Sequence, residues 1–180
     1  MEAPVEIRDL ARSELSRVGE IDRTEHIDVL FEQHGTELVA QRGSWSASAW
    51  DPDGQGEQSV YAKCQALMHY VDAGGIARGA FSGGRLVGIG VVVPHIRPAI
   101  AQLAFLHVSR DFRAAGLGSR LSADLELVAR HAGDTEIVVS ATPSENTVRF
   151  YLCRGYRPIA RPLPELLELE PEDVHMGKVI

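Results

Sequence analysis

The stretch from Leu106 to Gly118 reads Leu-His-Val-Ser-Arg-Asp-Phe-Arg-Ala-Ala-Gly-Leu-Gly, an apolar strand-like run feeding a small-residue turn that opens a helix. The first turn of a helix leaves N–H groups without intrahelical partners, and the summed peptide dipoles make that end partly positive. An anionic pyrophosphate fits there. Ala114, Ala115, Gly116 and Gly118 keep side chains out of the way, so that oxygens can approach successive amides through Leu117 and Ser119. Arg113 brings a permanent charge to the mouth. The Walker pattern ends in Gly-Lys-Ser/Thr, and Leu117-Gly118-Ser119-Arg120 has no lysine, which argues against nucleotide hydrolysis. The dinucleotide fingerprint needs three glycines, and Gly88-Ile89-Gly90-Val91-Val92-Val93 lacks the third inside a strand-like segment.

Leu106-x-Val108 followed by Arg113-x-x-Gly116-x-Gly118 and an amphipathic helix resembles the acyl-CoA signature of the GNAT superfamily of N-acetyltransferases. Downstream, Asn146, Phe150-Tyr151 and Gly155-Tyr156-Arg157-Pro158 are similar to the second cofactor segment of that family, an Asn-initiated helix ending at a Gly-aromatic turn. The close resemblance covers residues 79 to 160. It implies an α/β (α+β) fold, a mixed, mostly antiparallel central sheet of six to seven strands flanked by helices. It further implies acetyl-CoA as co-substrate, attacked directly by a primary amine of a small molecule or peptide. CoA would be held by Leu106, His107, Val108, the loop Arg113 to Ser119, Asn146 and Tyr151. Two departures, Arg110 for a frequent proline and Ala114 for a frequent glycine, remove no required amide.

In the implied mechanism a tetrahedral oxyanion forms and CoA thiolate leaves with a proton from Tyr151, whose phenol, with a reference pKa of about 10, is protonated at neutral pH. The backbone N–H of Val108 or Leu106 would polarise the carbonyl, and pantetheine amides would extend the sheet edge at Leu106, His107 and Val108. The family often places an acidic base on this strand, and Leu103 to Val108 has none. His107 is a candidate base, but strand alternation sets it on the face opposite Leu106 and Val108. Asp22, Glu25, His26, Asp28 and Glu32 lie where the family builds acceptor sites and read mostly as a solvated face. Cys153 stands about 200° around a helix from Tyr151 and is expected as a buried apolar cysteine, not a nucleophile. His26, His34, His69, His95, His131 and His175 show no ligand spacing, so no catalytic metal is expected. The readings that compete with N-acetyl transfer are a non-catalytic acyl-CoA sensor and transfer of a longer acyl group.

These residues must be positioned by a chain of 180 residues, 44% apolar, which fits one domain over 1–180. Cys64 and Cys153 form no framework, no apolar run reaches a bilayer's length and Met1 to Arg8 holds no signal core, so a cytoplasmic protein is expected. A net charge of −7, with Lys63 and Lys178 the only lysines, argues against nucleic-acid or anionic membrane partners and is compatible with a cationic amine.

The patterning predicts a strand from Val5 to Leu10, then two short helices from the spacing of Leu15, Val18, Ile21 and of Ile27, Leu30, Phe31. A loop from Gly43 to Ser59 crosses the substrate side, and a helix covers Val60 to Val71. A hairpin of Ala77–Phe81 and Leu86–Val93 precedes a strand Ile100–Val108, and the helix after the loop runs from Gly116 to His131. Glu136–Ser140 reads as a strand and Thr147–Arg154 as a helix with Asn146 as its N-cap. Arg157–Ala160 and Val174–Ile180 are the final strands, joined by a Pro/Glu/Leu-rich link. The last of these is a possible edge for a homodimer.

Overall fold

The computed structural model describes residues 4–180, so Met1–Ala3 lie outside the described residues. The strands are β1 (Val5–Asp9), β2 (Glu25–His34), β3 (Glu37–Ala47), β4 (Ile76–Ser82), β5 (Arg85–Arg97), β6 (Ile100–Val108), β7 (Glu136–Ala141), β8 (Arg157–Pro158) and β9 (Val174–Val179). The helices are α1 (Val60–Asp72), α2 (Leu117–Ala132), α3 (Glu145–Cys153) and α4 (Pro164–Leu169), with 3-10 segments over Arg12–Glu20 and Arg110–Ala115. Seven strands form one mixed sheet in the order β1-β4-β5-β6-β7-β9-β8, while β2 and β3 form a separate hairpin. Only β6 and β7 are parallel neighbours within the seven-stranded sheet. This is the expected α+β sheet flanked by helices.

The apolar run of β5 is buried from Leu86 to Val93 because both faces are covered. Ile89 and Val91 pack with Leu15, Val18, Cys64 and Leu67 from the first 3-10 segment and α1. The other face meets α2, whose Leu121, Leu125 and Ala129 join Val92, Leu103 and Ile137. The Gly-Ile-Gly run serves this packing: a Cβ at Gly90 would stand 3.3 Å from Leu106 Cδ1 and closer still to Leu125.

Three expectations are corrected. Ile27, Leu30 and Phe31 lie in β2, not in a helix, because a bulge between Ile27 and Val29 breaks the strict alternation of the strand and leaves apolar residues at helix-like spacing. β3 continues through Ala47, which takes the first residues of the predicted Gly43–Ser59 loop into the hairpin. β9 lies between β7 and β8 instead of at the sheet edge, with β8 pairing it only at Met176 and Gly177, and the link before it folds into α4. Among the described residues no helix is long and apolar enough to cross a membrane.

Candidate active site

β6 and β7 pair only over Ile100–Gln102 and Glu136–Val138. Beyond that they separate, and a cleft of about 900 Å³ opens between Leu103–Val108 on one side and Val139–Thr142 on the other. The Ser109 N–H donates to Val87 O at 2.8 Å, toward β5. Backbone groups alternate in direction along a strand, so Val108 and Leu106 turn theirs the other way, into the gap. Among the described residues the one side-chain donor that reaches this edge is Arg113, whose Nε donates to Val108 O at 3.0 Å.

The anion loop lies at the end of β6. Gly116 has φ +73°, a left-handed conformation that glycine adopts at no steric cost, and it turns the Arg110–Ala115 segment into α2. Arg120 N–H donates to Gly116 O at 3.1 Å, so the amides of Leu117, Gly118 and Ser119 precede the first helical bond. Arg113, Ala114, Gly116, Gly118 and Ser119 line the cleft; Ala115 does not, and the Leu117 side chain is buried with Ala80 and Val87. Arg113 is tied down as well, donating to Thr24 O at 3.4 Å and lying 3.7 Å from Glu25 Oε2.

On the facing side α3 starts two residues earlier than the spacing suggested. Ser144 is its N-cap, accepting from Thr147 N–H, so Asn146 sits inside the first turn. Its Nδ2 donates to Glu25 Oε1 at 2.7 Å at the cleft wall. Tyr151 is 5% exposed, edge-on to Phe150 and Tyr156 at centroid distances of 5.0 and 5.2 Å. Its hydroxyl has no protein hydrogen-bond partner among the described residues, and it lines the cleft. Burial raises the phenol above its ordinary pKa. Because Tyr151 faces inward, Cys153 faces out: it is exposed, not buried as expected.

His107 does turn away from Leu106 and Val108, toward α1. Its ring lies 5.3 Å from Trp50 and 4.7 Å from Phe105. Burial, reinforced by the charges of Arg23, Lys63 and Arg113, pushes its pKa down to about 3, so it is neutral and a poor acceptor for an ammonium proton. The same wall holds Arg23 and Lys63 over the Trp50 ring, 4.3 and 5.5 Å from its centroid. Glu170 and Asp173, from the α4–β9 link, line the same cleft. Burial raises both carboxyls, and with the charge of Glu170 beside it Asp173 is pushed up to about 7. Of the acidic set near the start of the chain, Glu25 lines the cleft, while His26 and Asp28 pair with each other on the surface. Sequence patterning did not single out Arg23, Trp50, Lys63, Glu170 or Asp173 as site residues. Among the described residues no group of three metal-ligating side chains is gathered.

The sheet splits between its two parallel strands, with a small-residue loop at the mouth of the split, an architecture shared with solved acetyltransferase structures. The chain belongs to the acetyltransferase (GNAT) family, whose profile matches residues 33–156. It is similar to nourseothricin acetyltransferase, with TM-score 0.72 and 15% identity over 97% of this chain and 98% of that one. It is similar also to a putative streptothricin acetyltransferase from Bacillus anthracis solved with acetyl coenzyme A, with TM-score 0.67 and 16% identity over 97% of each chain. A third similar structure is the PaiA N-acetyltransferase from Thermoplasma acidophilum in complex with coenzyme A, with TM-score 0.62 and 15% identity over 98% and 99% of the two chains. No curated protein sequence matches the chain.

Proposed function

We propose that this protein transfers the acetyl group of acetyl-CoA to a primary amine of a small molecule or peptide by direct attack. The observation that carries this reading is the meeting, in one cleft, of the bare edge of β6 at Leu106 and Val108, the helix start at 117–119 and the partnerless hydroxyl of Tyr151. Pyrophosphate sits at the helix start, where the amides and the dipole favour anions. Pantetheine amides complete the ladder along β6.

The amine nitrogen forms its bond to the thioester carbon while the carbonyl electron pair moves to oxygen, where a Leu106 or Val108 N–H stabilises it. Collapse of the adduct breaks the C–S bond. Tyr151 meets the departing sulfur as hydrogen-bond donor, and the proton lost by the amine ends on that sulfur. Burial keeps the phenol protonated, and an ordinary thiol has a lower pKa of about 8.5, so Tyr151 acts more by stabilising thiolate than by giving its proton up outright. The base is Asp173, which lines the cleft, whose charge is felt at Tyr151, and whose carboxyl is raised to about 7. A carboxylate so placed takes a proton from an ammonium more readily than an ordinary one.

The test is release of CoA thiol from acetyl-CoA across a panel of amines and peptide N-termini, with wild type and Tyr151→Phe side by side. Turnover that falls in the variant supports the reading; tight acetyl-CoA binding with no turnover of any amine replaces it with a sensor.

A further inference from the structure

The cations on the Trp50 wall have no use in the reaction as described so far. Lysine occurs twice in this chain. Lys178 is neutralised by Glu126, with Nζ 2.7 Å from Oε2. Lys63 has no carboxylate within ion-pair distance among the described residues; it stands over Trp50, half-buried, and feels Glu57 and Glu170 only from further away. Arg23 shares the same ring and donates only to the neutral amide oxygen of Gln58. These are two like charges, partly withdrawn from water and held against one aromatic ring, in a protein of net charge −7. Burial disfavours the charge on both, and each lacks the counter-ion that the paired surface arginines have. Charges taken out of water are costly unless an opposite charge meets them. His107 lies at the same wall and is neutral, so it does not repel an anion held there and adds no third cation.

The anion that meets them is not the pyrophosphate of the acetyl donor in the reading above, which takes the helix start at 117–119. Glu170 and Asp173 line the same cleft, Glu170 within electrostatic reach of Lys63 and Asp173 within reach of Tyr151, so the acceptor region holds acidic as well as basic groups. We propose that the acceptor carries an anionic group, carboxylate or phosphate, on the same small molecule as its amine, with the anion on Arg23 and Lys63 against Trp50 and the amine toward Asp173. The substrate class is thus the amino acid or the aminoalkyl phosphate rather than a polycation. This rests on the acetyl-transfer reading and narrows its acceptor.

The experiment compares kcat/KM for matched pairs that differ only in the anion: α-amino acids with their amides, and phosphoethanolamine with ethanolamine. Wild type, Lys63→Gln and Arg23→Gln are assayed together. One charge-assisted contact discriminates by roughly tenfold, so wild type is expected to prefer the anionic member of at least one pair by that factor or more. In either variant that ratio falls toward one, while KM for acetyl-CoA stays put. A preference among amino acids identifies carboxylate as the anion, and one confined to phosphoethanolamine identifies phosphate. A ratio near one in wild type overturns the proposal and leaves acetyl transfer standing. So does a ratio unchanged in both variants, or a loss that appears instead in KM for acetyl-CoA. Calorimetric titration of the CoA-bound protein with N-acetyl amino acids and their amides reads the same pocket without turnover. If no amine is acetylated, the transfer reading fails, and equal binding of acid and amide then overturns this proposal too.

Discussion

Glu126 on α2 and Asp173 before β9 are both carboxylates withdrawn from solvent, yet burial brings them opposite neighbours. Around Glu126 every charge has a partner: Arg154 and Tyr156 donate to Oε1 at 3.1 and 3.2 Å, and Lys178 donates to Oε2 at 2.7 Å. Burial alone would raise its pKa, but Lys178 and Arg154 outweigh it and the carboxyl ends below its ordinary value. Asp173 has a second carboxylate, Glu170, as its charged neighbour and ends well above. The tyrosines divide in the same way, Tyr156 bonded to Glu126 and Tyr151 without a hydroxyl partner among the described residues, and so do the two lysines. Satisfied polar groups lock α2, α3 and β9 together; unsatisfied ones gather where a ligand completes them.

Breaking the satisfied side has the largest effect. Glu126→Ala strands Lys178 and Arg154 and is expected to lower unfolding free energy by about 3–5 kcal/mol, read from the denaturant midpoint. The tyrosine pair separates the two regions directly. Tyr151→Phe is expected to cut kcat by roughly 100-fold with an unchanged midpoint, and Tyr156→Phe to cost about 1–2 kcal/mol of stability while kcat holds. Equal behaviour of the two variants would erase the distinction.

Asp173→Asn tests the poised side. Its folded pKa of about 7 exceeds the unfolded value near 3.8, so the native state holds the proton more tightly. Stability from this group is present at low pH and is lost as pH rises toward 7. The amide lacks that loss, and the variant is expected to be more stable than wild type at pH 8, by on the order of 1–3 kcal/mol. The same substitution removes the rise of kcat/KM through an apparent pKa near 7, which a pH profile reads. Smallest, Ser144→Ala removes the cap of the helix that carries Tyr151 and is expected to cost about 1 kcal/mol in thermal or denaturant unfolding.

The donor side of the cleft was readable because it is local. β6 has the predicted bounds, and the loop and helix that follow form one unbroken stretch in which each residue acts on its neighbours. Misreadings came where two patterns coincide. Ile27, Leu30 and Phe31 satisfy a helical stripe as well as a bulged strand, and both Ser144 and Asn146 are good caps, with Ser144 the one whose oxygen reaches the Thr147 amide. The acceptor side was illegible for a different reason. Arg23, Trp50, Lys63 and Asp173 come from four separate stretches, and nothing in the spacing of any one announces that they line one cleft.

The short ladder between β6 and β7 also bears on how long the molecule survives in a cell. A sheet left unfinished along one edge is finished by whatever lies in its gap, so a bound thioester acts as a borrowed strand and resists local opening there. Ligand at a hundred times its Kd adds about 2.7 kcal/mol to the folded state by mass action. Proteases act on the opened form, so the proposed binding of acetyl-CoA in that gap is expected to slow proteolysis of the protein.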